Sequence, residues 1–140
     1  MIEQLKESFL VFDTKTFTRY LKERDLEDSE KFVLRELFGA KNIFITPQIL
    51  AEMAYFIEEK FGGWEEDEIE ILLKIFEKYV EKTAILQSDA MKKFGISDAS
   101  IIILADTFSG VIITYDWKLA DWCRKNGISA FHMHEIINFV

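Results

Sequence analysis

Gly110-Val111-Ile112-Ile113-Thr114-Tyr115-Asp116-Trp117-Lys118-Leu119 is a β-branched apolar run that stops on a polar step and passes into a helical pattern. An apolar run without alternation fits a strand covered on both faces, as in parallel sheets. The helix that follows, expected over residues 117–126 and closed by Gly127, carries Leu119, Trp122 and Cys123 on its apolar side. The unit is therefore strand, acid, helix. It recurs at Phe9-Leu10-Val11-Phe12, which stops at Asp13-Thr14 and is followed by Phe17, Tyr20 and Leu21 at helical spacing.

The same reading extends along the chain. Residues 29–38 form a helix ended by Gly39, and Ile43-Phe44-Ile45 a strand. Thr46-Pro47 opens the next helix, with a hydroxyl to cap it and proline at its first position. That helix runs toward Gly62-Gly63 with Ile49, Met53, Phe56 and Ile57 on one side. Glu65 to Glu68 crowd the first turn of a further helix bearing Ile69, Leu72, Leu73, Phe76, Tyr79 and Val80; acids at a helix N-terminus are favoured by its dipole, so they read as a solvated helix start. A third strand is expected at residues 83–86 and a short polar helix through Met91. An almost wholly apolar helix follows from Asp98, with Ser97 as its cap, and a fifth strand is expected over 128–133. Strands alternating with helices predict a three-layer α/β/α fold around a mostly parallel five-stranded sheet, in one domain over residues 1–140.

Composition narrows the classes. At 140 residues and 49% hydrophobic content the chain can bury a core without disulfides. The one cysteine, Cys123, reads as a small core residue, and its lack of a partner suits a reducing, cytoplasmic setting. The start carries no basic-then-apolar leader, and no apolar run is long enough to span a bilayer, so no membrane association is expected. A net charge of −8 disfavours a broad nonspecific grip on nucleic acid, so a polyanion would have to be held locally.

Four carboxylates stand out by position. Asp13 and Asp116 end strands; Glu52 lies about 40° from Phe56 at ~100° per residue, on the border of a buried stripe; Asp98 opens the most apolar helix. In open parallel sheets, ligands bind beyond the carboxyl ends of the strands. Two unit charges about 4 Å apart repel by roughly 4 kcal/mol at an effective dielectric near 20, so gathered carboxylates call for a cation. An all-oxygen donor set suits Mg²⁺ or Mn²⁺. His132 and His134, two apart, are weak evidence for zinc without cysteines nearby. Singly, each acid also has an ordinary role as a cap, turn residue or surface acid; Asp121, Asp106 and Asp89 read that way, with Asp121 in reserve.

Strand-Asp13-Thr14, Thr46-Pro47-Gln48-Ile49-Leu50-Ala51-Glu52, Ser97-Asp98-Ala99-Ser100-Ile101-Ile102-Ile103-Leu104-Ala105 and Ile113-Thr114-Tyr115-Asp116-Trp117 together resemble the PIN domain, as in VapC-type toxins, across nearly the whole chain. The resemblance implies a metal-dependent endoribonuclease in which Asp13, Glu52, Asp98 and Asp116 hold one or two Mg²⁺ or Mn²⁺ ions, supported by Thr14 and Thr114. Lys15 departs from the family pattern, where a small or amide residue is usual after the Asp-Thr pair.

For substrate contact, Lys15, Arg19 and Lys22 share a helical face beside Asp13, and Lys92, Lys93 and Lys118 flank the other acids. The expected partners are an RNA substrate, an antitoxin protein and a second copy in a homodimer, with Trp64, Trp117 and Trp122 as candidates for an association surface. The competing reading is a PIN-like binding or assembly module that no longer cuts. A phosphatase with an Asp nucleophile fits less well, because Asp13-Thr14-Lys15 lacks the second Asp of an Asp-x-Asp pair.

Overall fold

Strand β1 (Leu10–Phe12) is buried at every position and is flanked by β2 (Ile43–Ile45) and β4 (Val111–Thr114), both parallel to it. The computed structural model describes residues 1–140. With β3 (Phe76–Glu77) beside β2 and β5 (Ala130–His132) beside β4, all pairings are parallel and the order is β3-β2-β1-β4-β5. Strand order reverses between β1 and β4, so the crevice for a ligand lies beyond their carboxyl ends. The register Phe12↔Ile113 sets Asp13 beside Thr114 there.

Ten helices accompany the sheet, giving the α/β architecture expected. Helix α1 (Ile2–Lys6) precedes β1, helices α2 (Thr14–Lys22) and α3 (Asp28–Phe38) make the first crossover, and α1 packs on α3. Helices α4 (Pro47–Lys60) and α5 (Glu66–Leu73) frame the second. Helices α6 (Lys82–Gln87), α7 (Asp89–Phe94) and α8 (Ile96–Phe108) precede β4, α9 (Trp117–Lys125) joins it to β5, and α10 (Met133–Ile137) closes the order. One buried cluster runs through both faces, with Phe12, Phe17, Ile49, Met53, Ile101 and Ile112 among its fully enclosed side chains. Cys123 belongs to it, and desolvation followed by the charge of Asp98 pushes its thiol up to about 12, leaving it an inert core residue. No helix is long and apolar enough to cross a membrane.

Three elements differ from the sequence reading. Residues 83–86 form part of helix α6, in which only Ile85 is buried. The third strand lies instead at Phe76–Glu77, on what reads as a continuing helical stripe; α5 stops at Leu73, and the ladder to β2, with Lys78 N–H donating to the Ile45 carbonyl at 2.9 Å, takes over. The last strand ends at His132, and Met133 starts α10.

Two short polar bonds fix how α4 and α8 meet. Thr46 caps α4, its Oγ1 accepting from Ile49 N at 3.2 Å, and the same hydroxyl lies 2.7 Å from Ser100 Oγ on α8. Ser100 in turn donates to the Ser97 carbonyl at 2.7 Å, so Thr46 is the donor between the two hydroxyls. Ser97 does not cap α8: the cap position is Gly95, at φ 90°, and the Ser97 hydroxyl turns toward the Gln48 carbonyl at 3.5 Å. Thr46→Val removes a cap and the hydrogen bond that Ser100 accepts, and is expected to cost about 1–2 kcal/mol in a denaturant titration, with Thr46→Ser close to wild type.

Candidate functional site

The end of β1 delivers Asp13 into a nearly sealed position, and three donors hold it there. Its Oδ1 accepts from Thr16 N at 2.9 Å and Thr16 Oγ1 at 2.6 Å, while its Oδ2 accepts from Thr114 Oγ1 on β4. Asp13 is thus also the N-cap of α2, as its ordinary role would have it. Desolvation raises its pKa in spite of these bonds. The Tyr115 backbone N–H also acts on this carboxylate, so most of its roughly four acceptor positions are taken.

Thr114 links the two strand-end acids. While donating to Asp13, its hydroxyl accepts Asp116 N–H at 2.9 Å. Asp116 caps α9, its Oδ1 accepting from Lys118 N at 2.9 Å and Leu119 N at 3.3 Å, which leaves Oδ2 free on an exposed side chain.

Asp98, in the first turn of α8, makes no hydrogen bond or ion pair, and Glu52 on α4 makes none either. Both are half-buried. Asp98 is the acid most altered by its surroundings: desolvation first, then the charges of Asp13, Glu52 and Asp116, raise its pKa from 3.8 to about 7. These contributions bring all four acids into one electrostatic neighbourhood. The Thr46–Ser100 and Ser97–Gln48 contacts are the reason, because they hold the first turns of α4 and α8 together at the strand ends.

A cleft of about 370 Å³ opens here, lined by Asp13, Thr14, Lys15, Asp98, Tyr115, Asp116 and Trp117. The Thr14 hydroxyl is buried and has no protein partner. A buried hydroxyl without a partner costs on the order of 1–3 kcal/mol, so it favours a ligand or water facing it. No three carboxylates, imidazoles or thiols stand close enough to enclose a metal ion outright. Asp13, Asp98 and Asp116 share the cleft without forming a closed coordination sphere; Glu52 does not line it and is linked to the group through its charge acting on Asp98. Mg²⁺ keeps several waters and needs only one or two carboxylates, so the free oxygens of Asp98 and Asp116, with Glu52 close enough to act on Asp98 and no cation paired to any of these three, fit such an ion.

The other expected residues separate from this group. Arg19 is committed elsewhere: it forks onto Glu30 at 2.9 and 3.1 Å and lies 4.9 Å over the Tyr115 ring. Lys22 is buried against Glu68 at 2.7 Å and the Gly63 carbonyl at 2.9 Å, so neither cation is free for a phosphate. That pair also corrects the reading of Glu68 as solvated. Asp121 pairs with Arg124 at 3.0 Å on the exposed side of α9 and takes no part in the cleft. Lys15 lines the cleft without an ion pair, and Lys118, Lys92 and Lys93 are exposed. His132 has both ring nitrogens engaged, with Nδ1 accepting from His134 N at 3.1 Å and Nε2 donating to the Tyr115 carbonyl at 2.8 Å. Its pKa is lowered, chiefly by burial.

Several contributors escaped the sequence reading. Thr16 was findable, since Asp13-x-x-Thr16 places a hydroxyl three residues past a capping acid. Glu30, which accepts from both Arg19 and Tyr115 Oη, carries no sequence signal of that role. No family model and no curated protein matches the chain.

Proposed function

We propose that the protein is a divalent-metal-dependent endoribonuclease of the PIN type, hydrolysing phosphodiester bonds of RNA. The environment of Asp98 carries this reading: a half-buried carboxylate with no partner, its pKa raised to about 7 by burial and by Asp13, Glu52 and Asp116, at the switch point of a parallel sheet. Such groups mark functional sites because folding alone gives no reason to gather them. The family resemblance in motif order supplies the reaction class.

Asp98 and Asp116 would hold Mg²⁺ or Mn²⁺, with Asp13 and Glu52 acting on it through retained waters. The ion, when bound, activates water and offsets charge on the phosphate. Thr16 and Thr114 fix the Asp13 carboxylate, and Thr114 simultaneously sets the backbone of Asp116. Thr14 lines the cleft and its buried hydroxyl has no protein partner, which leaves it able to hold a water at the site. Lys15 supplies positive charge at the rim of an acidic site, which draws the RNA backbone inward. Its place against the Tyr115 ring, at 5.7 Å, holds it there without neutralising it.

A toxin role with an antitoxin partner, a homodimeric state and a cytoplasmic location belong to the same proposal. They rest on the resemblance and on the single unpaired cysteine. The test is cleavage of short single-stranded RNA with Mg²⁺ or Mn²⁺. Cutting that stops with EDTA and with Asp98→Asn is the expected result. Cutting that survives both removes the proposed site, and no cutting with either metal returns the chain to the reading of a binding or assembly module.

A further inference from the structure

We propose that Trp117 is a stacking platform for a nucleobase of single-stranded RNA, a subsite beside the acid cleft that selects unpaired strands; this rests on the reading of the cleft as an RNA site. The indole lies flat on the His132 ring, with centroids 3.9 Å apart and planes within 3°. His132 is itself stacked on His134, at 5.2 Å and 20°. The middle ring is buried, and its two nitrogens are fixed by the Tyr115 carbonyl and His134 N–H. It therefore sets the plane of the indole. Tyr115 meets both imidazoles edge-on, at 6.1 and 6.4 Å, which closes the side of the column.

Trp117 remains 48% exposed even though one face is covered. No second ring and no cation lies over the indole, and the residue lines the cleft together with Asp98 and Asp116. An exposed, flat, immobilised indole gains little from folding and matches what an unstacked base requires. Sequence-tolerant recognition of single strands combines such rings with local backbone contacts. A base in a duplex has both faces taken by its neighbours, so the platform favours loops, bulges and ends. Lys15, on the same cleft, sits where the adjoining phosphate would pass.

The probe is a short single-stranded RNA oligomer and an abasic oligomer of the same length, titrated with Ca²⁺ present into a chain carrying Trp64→Phe and Trp122→Phe, so that Trp117 is the only indole. Saturable quenching by the base-containing strand, and weaker binding of the abasic one, is expected. Trp117→Leu should raise Kd for the base-containing strand by roughly five- to a hundredfold, measured by anisotropy of a labelled strand, while Trp117→Phe recovers part of it. Equal affinity for the two oligomers, absent quenching, or unchanged Kd in Trp117→Leu overturns the subsite. The two proposals fail separately: base-dependent quenching without metal-dependent cleavage sinks the nuclease reading alone, and cleavage with equal binding of the abasic strand sinks the platform alone.

Discussion

Asp98→Asn is expected to reduce metal-dependent RNA cleavage by roughly a hundredfold or more, the scale of a single electrostatic group at a reacting centre, while making the metal-free protein more stable above neutral pH. Most site substitutions that remove a carboxylate from a satisfied network destabilise; this one relieves a conflict. Asp98 has no hydrogen-bond or ion-pair partner, and its pKa is raised from 3.8 to about 7 by burial and by three neighbouring acids. The folded state consequently holds the Asp98 proton more tightly than the unfolded state does. Between about pH 4 and 7 the unfolded chain has lost that proton and the folded chain has not. Stability contributed by this group thus falls as pH rises through that window, and the penalty is constant above it. Partial solvent access reduces the penalty to about 1–3 kcal/mol. Asn cannot ionise, so the variant should exceed wild type at pH 8 by that amount and match it near pH 4, as read from denaturant midpoints. Adding Mg²⁺ or Mn²⁺ at pH 8 should raise the melting temperature of wild type and leave the variant nearly unmoved.

Lys22→Met carries the second large effect, on the fold alone. The Lys22 ammonium and Glu68 carboxylate are almost fully enclosed, 2.7 Å apart, and Glu68 also accepts Glu65 N–H at 2.8 Å to complete the cap of α5. Removing the cation leaves a buried charge whose second oxygen already lacks a partner. A loss of about 3–5 kcal/mol is expected in urea unfolding. The double change Lys22→Met with Glu68→Leu should recover most of it, because no uncompensated charge remains. Metal-dependent cleavage, assayed where the variant stays folded, should be near wild type, since neither residue lines the cleft. A selective loss of RNA affinity in folded Lys22→Met would instead return Lys22 to the phosphate channel that its sequence position suggests.

Sequence legibility follows from how local each decision is. Thr46-Pro47 and Asp116-Trp117 carry their helix starts within a few residues, and both helices begin where that chemistry says. The buried apolar runs of β1, β2 and β4 were equally plain, being covered on both faces. The edge was not. Strand β3 is two residues long, with both side chains exposed, so nothing in Phe76-Glu77 competes with the helical spacing that precedes it. Only pairing with β2 decides it. Residues 83–86 illustrate the reverse ambiguity, a four-residue apolar run that suits either state.

In the candidate site, Asp13, Asp98 and Asp116 were readable because each sits at an element boundary, whereas Glu52, inside α4, showed only as an acid at the border of a buried stripe; helix packing supplied the rest. Which cations stay free was not readable. Lys15, Arg19 and Lys22 look equivalent on a helical face, but Glu30 from α3 and Glu68 from α5 claim two of them. The Trp117–His132–His134 column likewise depends on β5 ending at His132, one register step that a short strand does not announce.

The central claim is that four acids form one site awaiting a divalent cation, and the direct measurement is an NMR titration of the Asp98 carboxyl carbon with and without Mg²⁺. A midpoint near 7 in metal-free protein, moving to markedly lower pH as Mg²⁺ saturates, is the predicted result. A midpoint near 3.8 that Mg²⁺ does not shift would contradict it.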